Sequence, residues 1–379
     1  MDFNFSEDQE QLRDTVKRWV TKDYTFERRN KIIAAGRGTG GFDAGAYQEL
    51  AALGLCGLNV PESHDGLGMG AVDAMVVMEE LGRGMVMEPI GQTLIASRVL
   101  AAFGDAALQS AWLPKLAAGE AILSLAYQES GSRHNLAACK ATASAASGGY
   151  VLTGRKTLVS AGDEVTGYIV SANLNGKLAL FVVERATSGT NASVKATGFG
   201  TQDGSRAADV VFTDAAATLL TTDGQAALAL AVDAGIALLC AEAVGVMDVS
   251  LAMTTEYMNT RKQFGVVISS FQALRHRVAD MKMQLELARS MSYYAALKMD
   301  VPAEERRACM ARAKYQIGQS MRFVGQSAVQ LHGGIGVTDE YMVSHCFKRL
   351  TQLEMTFGDS LHHLQEVSDR MQDTAGVFA

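Results

Sequence analysis

Proline is scarce in this chain, with 4 among 379 residues. That scarcity removes the commonest helix breaker, and the 18 methionines and plentiful alanine also favour long helices. Cysteine is sparse as well. Cys56, Cys139, Cys240, Cys309 and Cys346 make an odd count of five and match no metal-ligand spacing. This argues against a disulfide framework and for a reduced, cytoplasmic chain. No block of Lys or Arg occurs, and the formal net charge of -7 argues against a nucleic-acid-binding surface. The start, Met1-Asp2-Phe3-Asn4-Phe5, lacks the basic-then-apolar pattern of a signal peptide. No internal repeat and no low-complexity tail is found. One stretch, Ala226 to Met247, is apolar enough to suggest a membrane span, but Asp233 and Glu242 interrupt it. Charges are costly in lipid, so it reads as a buried helix, with no membrane span.

The chain instead has the balance of a globular protein, 48% hydrophobic and 20% charged, and is long enough for two or three units. Ser6-Glu7-Asp8-Gln9 reads as a capping box, followed by Leu12, Val16, Trp19 and Val20 at helical spacing. Further helices are expected over 44–53, 72–81, 91–103 and 106–117, with Gly66-Leu67-Gly68-Met69-Gly70 as a loop. The pattern then changes. Tyr150–Gly154, Thr166–Val170, Leu178–Val183 and Asp209–Phe212 are short, rich in β-branched and aromatic residues, and divided by Gly- or Asn-rich turns. Helical periodicity returns over 226–257, 270–297, 303–331 and 361–371. The expected class is α+β: a helical domain (1–121), a β domain (122–223) and a helical bundle (224–379).

Two segments carry the most chemistry. Arg261-Lys262-Gln263-Phe264-Gly265 offers a guanidinium fork for an anion and an aromatic ring. Gln330-Leu331-His332-Gly333-Gly334-Ile335-Gly336 offers glycines where backbone N–H groups can approach a phosphate. Taken singly, Arg261 could be a surface ion pair and Gly333-Gly334 a helix-ending turn. Together with Gln272, Met78-Glu79-Glu80-Leu81-Gly82 and Pro61-Glu62 before Gly66 and Gly68, they resemble the acyl-CoA dehydrogenase family over essentially the whole chain. The resemblance implies that family's fold, with a barrel-like middle domain and a C-terminal four-helix bundle. It also implies FAD as cofactor, an acyl-CoA substrate and an electron-transfer flavoprotein as acceptor. The assembly implied is a homotetramer, or a heterotetramer with a paralogous subunit. Arg261, Gln263, Phe264, Gln272, Gln330, Gly333 and Gly334 are the positions it assigns to FAD on the helical side. On the β side it assigns Gln128, in Gln128-Glu129-Ser130-Gly131, and Ser160, which follows Gly154-Arg155-Lys156 and Leu158. The family commonly has Thr at the first of these and an aromatic ring where Leu158 stands. Ser160 could equally be a strand-end hydroxyl bonded to its own backbone.

The family's reaction takes a proton from the carbon beside the thioester and a hydride from the next carbon. A carboxylate must reach that proton. The two family positions for this Glu hold Phe357 and Gly235 here. Asp359 is the substitute candidate, with a helix N-cap as its other reading. Asp233 falls on the wrong side of its helix, and Glu242 could be a buried, paired carboxylate. His362 and His363 have no carboxylate or Cys at ligand spacing, so no metal is expected. The implied activity is dehydrogenation of an acyl-CoA to a 2-enoyl-CoA, in the branch handling steroid-side-chain or dicarboxylic acyl groups. The alternatives are a non-catalytic or half-site subunit that completes a partner's FAD site, and a flavin oxidase with Asp as base.

Overall fold

The capping box at the start forms as read. Ser6 Oγ accepts from Gln9 N and the Gln9 side chain accepts from Ser6 N, opening α1 (Glu7–Lys22), which buries Val16 and Trp19. This computed structural model describes residues 5–36, 38–185 and 193–374, so the signal-peptide reading of Met1-Asp2-Phe3-Asn4 falls outside the described residues. Five helices follow: α2 (Phe26–Ala35), α3 (Ala44–Ala52), α4 (Ala71–Gly84), α5 (Ile90–Phe103) and α6 (Ala106–Ala117). The strands are β1 (Leu123–Ala126), β2 (Thr142–Ala146), β3 (Gly149–Ser160), β4 (Gly167–Leu174), β5 (Lys177–Glu184), β6 (Val194–Gly200) and β7 (Arg206–Thr221). Then come α7 (Gly224–Thr260), the short pair β8 (Lys262–Gln263) and β9 (Val266–Val267), α8 (Gln272–Leu297), α9 (Ala303–His332), α10 (Met342–Met355) and α11 (Ser360–Thr374). The helical, β, helical order matches the expectation.

The chain divides into two compact units, one of Met1–Phe26, Met75–Val86 and Ile236–Ala379, the other of Glu27–Ala74 and Met87–Gly235. In the second unit the strands close on themselves. β4 pairs with β2, β2 with β3, β3 with β7, β7 with β5, and β5 returns to β4. Closure leaves no open edge on these five strands, the barrel-like form expected. β1 adds parallel to β4, and β6 lies antiparallel on β7.

In the first unit α7 is the core helix. Of its most apolar window 94% is buried, which accounts for membrane-like hydropathy in a helix packed within protein. Its crossing with α4 is backbone to backbone. A Cβ on Gly245 would sit 1.9 Å from Glu79 O, and one on Gly82 would sit 2.2 Å from Glu242 O. Around this crossing Arg83 bridges Glu79 (2.7 Å), Glu80 (3.2 Å) and Asp248, and Arg289 of α8 also reaches Glu79.

Candidate active site

On the barrel, the chain leaves β1 into the Gln128–Gly131 loop beside the far end of β3. Two links hold them together. Thr157 N donates to Gln128 O (2.9 Å), and the Lys156 ammonium is buried against Glu129 (2.7 Å). Lys156 also donates to Ser171 Oγ (3.0 Å), while Glu129 accepts from Lys140 N (2.8 Å) and Ala141 N (3.0 Å). Burial alone would raise the Glu129 carboxyl, but Lys156 and these backbone donors outweigh it and hold it below the usual carboxylate range. Beyond Lys156 the strand bulges. The register with β7 slips between Lys156 and Val159, and Leu158 takes φ 56° with its side chain 55% exposed. Ser160 closes the strand, its carbonyl accepting from Ser124 Oγ (2.8 Å). The Gln128 and Ser160 side chains are half-buried and make no hydrogen bond among the described residues, so the self-bonded reading of Ser160 is not what forms.

In the other unit, α7 ends at Thr260 and the Arg261 segment turns back as a two-stranded hairpin. Lys262 pairs with Val267 and Gln263 with Val266. Phe264 (φ 54°) and Gly265 (φ 82°) are both left-handed, as a tight hairpin turn demands. This presents Phe264 91% exposed, edge-on to Phe271 at 6.1 Å, with Arg261, Gln263 and Gln272 also exposed. α9 ends at His332, and Gly333 adopts φ 65°, ψ −140°, a conformation open only to glycine. A Cβ on Gly333 or Gly334 would meet nothing in this chain, so another molecule can come close to the backbone there. The two segments lie at one end of this unit. Tyr257 of α7 stacks on His332 (4.5 Å between rings), and His332 Nδ1 bonds Ala328 O (2.8 Å). Gln330 is exposed on the last turn of the same helix.

Gly235 is buried in α7, and Phe357 stands in a strained turn at φ 58°, followed by Gly358 at φ 104°. Asp359 Oδ1 accepts from His362 N (2.8 Å), so the N-cap reading of Asp359 is realised. Glu242 is paired with Arg349 (2.5 Å), as the structural reading held, and Asp233 is fully buried. The expectation for the histidine pair needs correction, because Glu366 lies one helical turn beyond and gathers with His362 and His363. The missed signal was the i, i+4 spacing on α11. Arg307, however, holds both Glu366 oxygens at 2.9 Å, and a cation would have to displace that guanidinium. Burial favours a raised Glu366 pKa, yet His362 and Arg307 bring it to about 2. His363, buried and flanked by Arg307 and Lys314, is pushed down to about 3 and stays neutral. Lys314 itself escaped the sequence reading. It lies on the apolar face of α9 with Met310, Ile317 and Met321, and that interruption was its signal.

Two family models match the chain: "Acyl-CoA dehydrogenase, N-terminal domain" over residues 6–120 and "Acyl-CoA dehydrogenase, C-terminal domain" over 223–372. The chain is 28% identical to the probable acyl-CoA dehydrogenase YngJ of Bacillus subtilis, covering 95% of this chain and 97% of that one. Among solved structures it is similar to a variant of the Tcur3481-Tcur3483 steroid ACAD, with TM-score 0.88, 28% identity, and 98% and 99% of the two chains covered. It is likewise similar to the ChsE4-ChsE5 complex from Mycobacterium tuberculosis, with TM-score 0.86, 25% identity, and 99% and 100% covered.

Proposed function

Because this chain belongs to the acyl-CoA dehydrogenase family, we propose that it is an FAD-dependent oxidoreductase that converts an acyl-CoA thioester to the 2-enoyl-CoA. FAD, when bound, supplies the hydride acceptor. The observation that carries this reading is the exposed Arg261 hairpin joined through Tyr257 and His332 to the Gly333-Gly334 turn, where no side chain of this chain fills the approach. Backbone N–H groups at the glycines and the Arg261 fork suit a diphosphate, and the exposed Phe264 ring offers an apolar face. Gln128 and Ser160 are the barrel residues we assign to the flavin, since their side chains are uncommitted among the described residues. Asp359 is proposed as the proton acceptor, already oriented by the His362 N–H.

We prefer turnover over the non-catalytic reading because the chain matches a protein named as an acyl-CoA dehydrogenase over nearly its whole length. The finer proposal is a bulky acyl substrate and a tetramer with a paralogous subunit in the cytoplasm, with an electron-transfer flavoprotein as oxidant. Its support is the likeness to a steroid enzyme and to a two-subunit complex, and five cysteines that form no disulfide. The test is anaerobic bleaching of the flavin against a panel of acyl-CoA thioesters, with the chain alone and co-expressed with its paralogue. Purified protein should be yellow, and a colourless preparation that FAD cannot reconstitute overturns the reading. Asn caps helices as well as Asp does. Asp359→Asn should therefore stop bleaching while FAD stays bound, and retained bleaching would remove Asp359 from the base role.

A further inference from the structure

Lys314 is buried on α9 with none of its surface exposed, and its ammonium makes two bonds to main-chain carbonyls. One goes to Glu354 O (2.7 Å), in the last turn of α10, and the other to Gly358 O (2.9 Å), in the turn before α11. The last carbonyls of a helix lack partners within it and carry its negative pole, so a cation there is doubly favoured. His363 adds a third bond to the same turn, Nε2 to Phe357 O (3.0 Å). Ser360 closes it from the other side, donating from N and Oγ to Glu354 Oε1 (3.0 and 2.7 Å). The turn therefore holds two consecutive left-handed residues, Phe357 and Gly358, under three buried clamps.

Resting on the dehydrogenase reading, which puts the proton acceptor in this turn, we propose that Lys314 is a positioning residue whose charge fixes the Phe357-Gly358-Asp359 turn for proton abstraction. The groups facing it are Cys240 of α7, Glu354 of α10, Asp359 in the turn and His363 of α11. Burial raises the Cys240 thiol to about 12 and, with Arg307 and Lys314, lowers His363 to about 3, so neither changes charge in the mildly alkaline range. Lys314 does change, because burial lowers its ammonium to about 8, against partial support from Glu354 and Asp359. The neutral amine keeps N–H donors but loses the charge that strengthens their bonds. Global stability moves the other way. A lysine with a folded pKa below its unfolded value weighs against folding while charged, and that cost is relieved as pH rises from about 8 towards 10.5.

The test uses the FAD-loaded protein. In the wild type, the rate of flavin reduction by a bleaching acyl-CoA should fall severalfold as pH rises through about 8 and level off at the rate of the uncharged amine, while the thermal midpoint holds or rises. Lys314→Met should reduce flavin slowly at every pH and lose the alkaline limb, with FAD retained. Lys314→Gln, which keeps one donor, should restore part of the rate without the limb. An alkaline limb that persists in either variant, or its absence from the wild type, overturns the proposal. Should Lys314→Met fail to fold, amide exchange in the wild type gives the answer, read as protection factors over 357–363. Loss of protection through the same pH range supports the clamp, and unchanged protection overturns it. This readout also separates the two ideas: no bleaching with any thioester defeats the dehydrogenase reading, whereas the exchange result judges the clamp alone.

Discussion

The buried pair of Lys156 and Glu129 is the most demanding test of how the barrel holds its loop. The two side chains are 0% and 7% exposed and meet at 2.7 Å. Replacing Lys156 by Met leaves the carboxylate with Lys140 N and Ala141 N but no counter-charge, and stranding a buried charge in this way costs about 3–5 kcal/mol. Glu129→Gln leaves an ammonium that still donates to Ser171 Oγ, and should cost about 1–3 kcal/mol. The double replacement removes both charges, and Gln keeps an acceptor for one of the two N–H groups, so it should be milder than Lys156→Met alone. Urea unfolding of all four proteins gives the cycle, with an expected coupling of about 1–3 kcal/mol. The sign in pH is fixed as well. The folded Glu129 carboxyl lies below its unfolded value of 4.5, so its contribution is complete above about 4.5 and fades as pH falls through the folded pKa. The wild type and the Glu129→Gln protein should converge in acid. A Lys156→Met protein within about 1 kcal/mol of wild type, or a coupling near zero, would refute the reasoning.

Two glycine replacements should behave oppositely. Gly245→Ala places a methyl 1.9 Å from Glu79 O and 2.8 Å from Arg83 N, forcing α4 and α7 apart, and should cost about 1–3 kcal/mol or more in thermal or urea unfolding. Gly334→Ala meets nothing in the chain and should leave stability within about 0.5 kcal/mol, yet lower FAD retention measured by visible absorbance; unchanged retention would remove the diphosphate from this turn.

The periodic helices were legible by their apolar faces, and α1, α3 and α6 add a start signal with Ser6, Asp43 and Asp105 as caps. The elements that escaped lack those marks. α2 buries Arg29, a residue that sequence reading assigns to the surface, and α10 buries Ser344 and His345 beside its apolar positions. β1 is buried at all four positions and so shows no alternation, β2 is mostly alanine and exposed, and β6 contains two glycines. At the site, the Arg261 and Gly333 segments were visible because their chemistry is local in sequence. The clamp of Lys314 on residues 354–358 was not, because it joins residues about 40 apart and only packing brings them together. The Glu366 partner of the histidine pair was overlooked although it lies one turn along the same helix.

The first compact unit is assembled from three stretches of chain, Met1–Phe26, Met75–Val86 and Ile236–Ala379. As a growing chain leaves the ribosome, α1 emerges ahead of the second unit with Val16 and Trp19 not yet covered, and most of its own unit follows that second unit. The second unit, by contrast, is complete once Gly235 has been added. The barrel can therefore close while the earliest helix still waits, and such waiting apolar surface is where misassembly begins. Loss of α8 to α11 would deprive α1 of most of its unit as well.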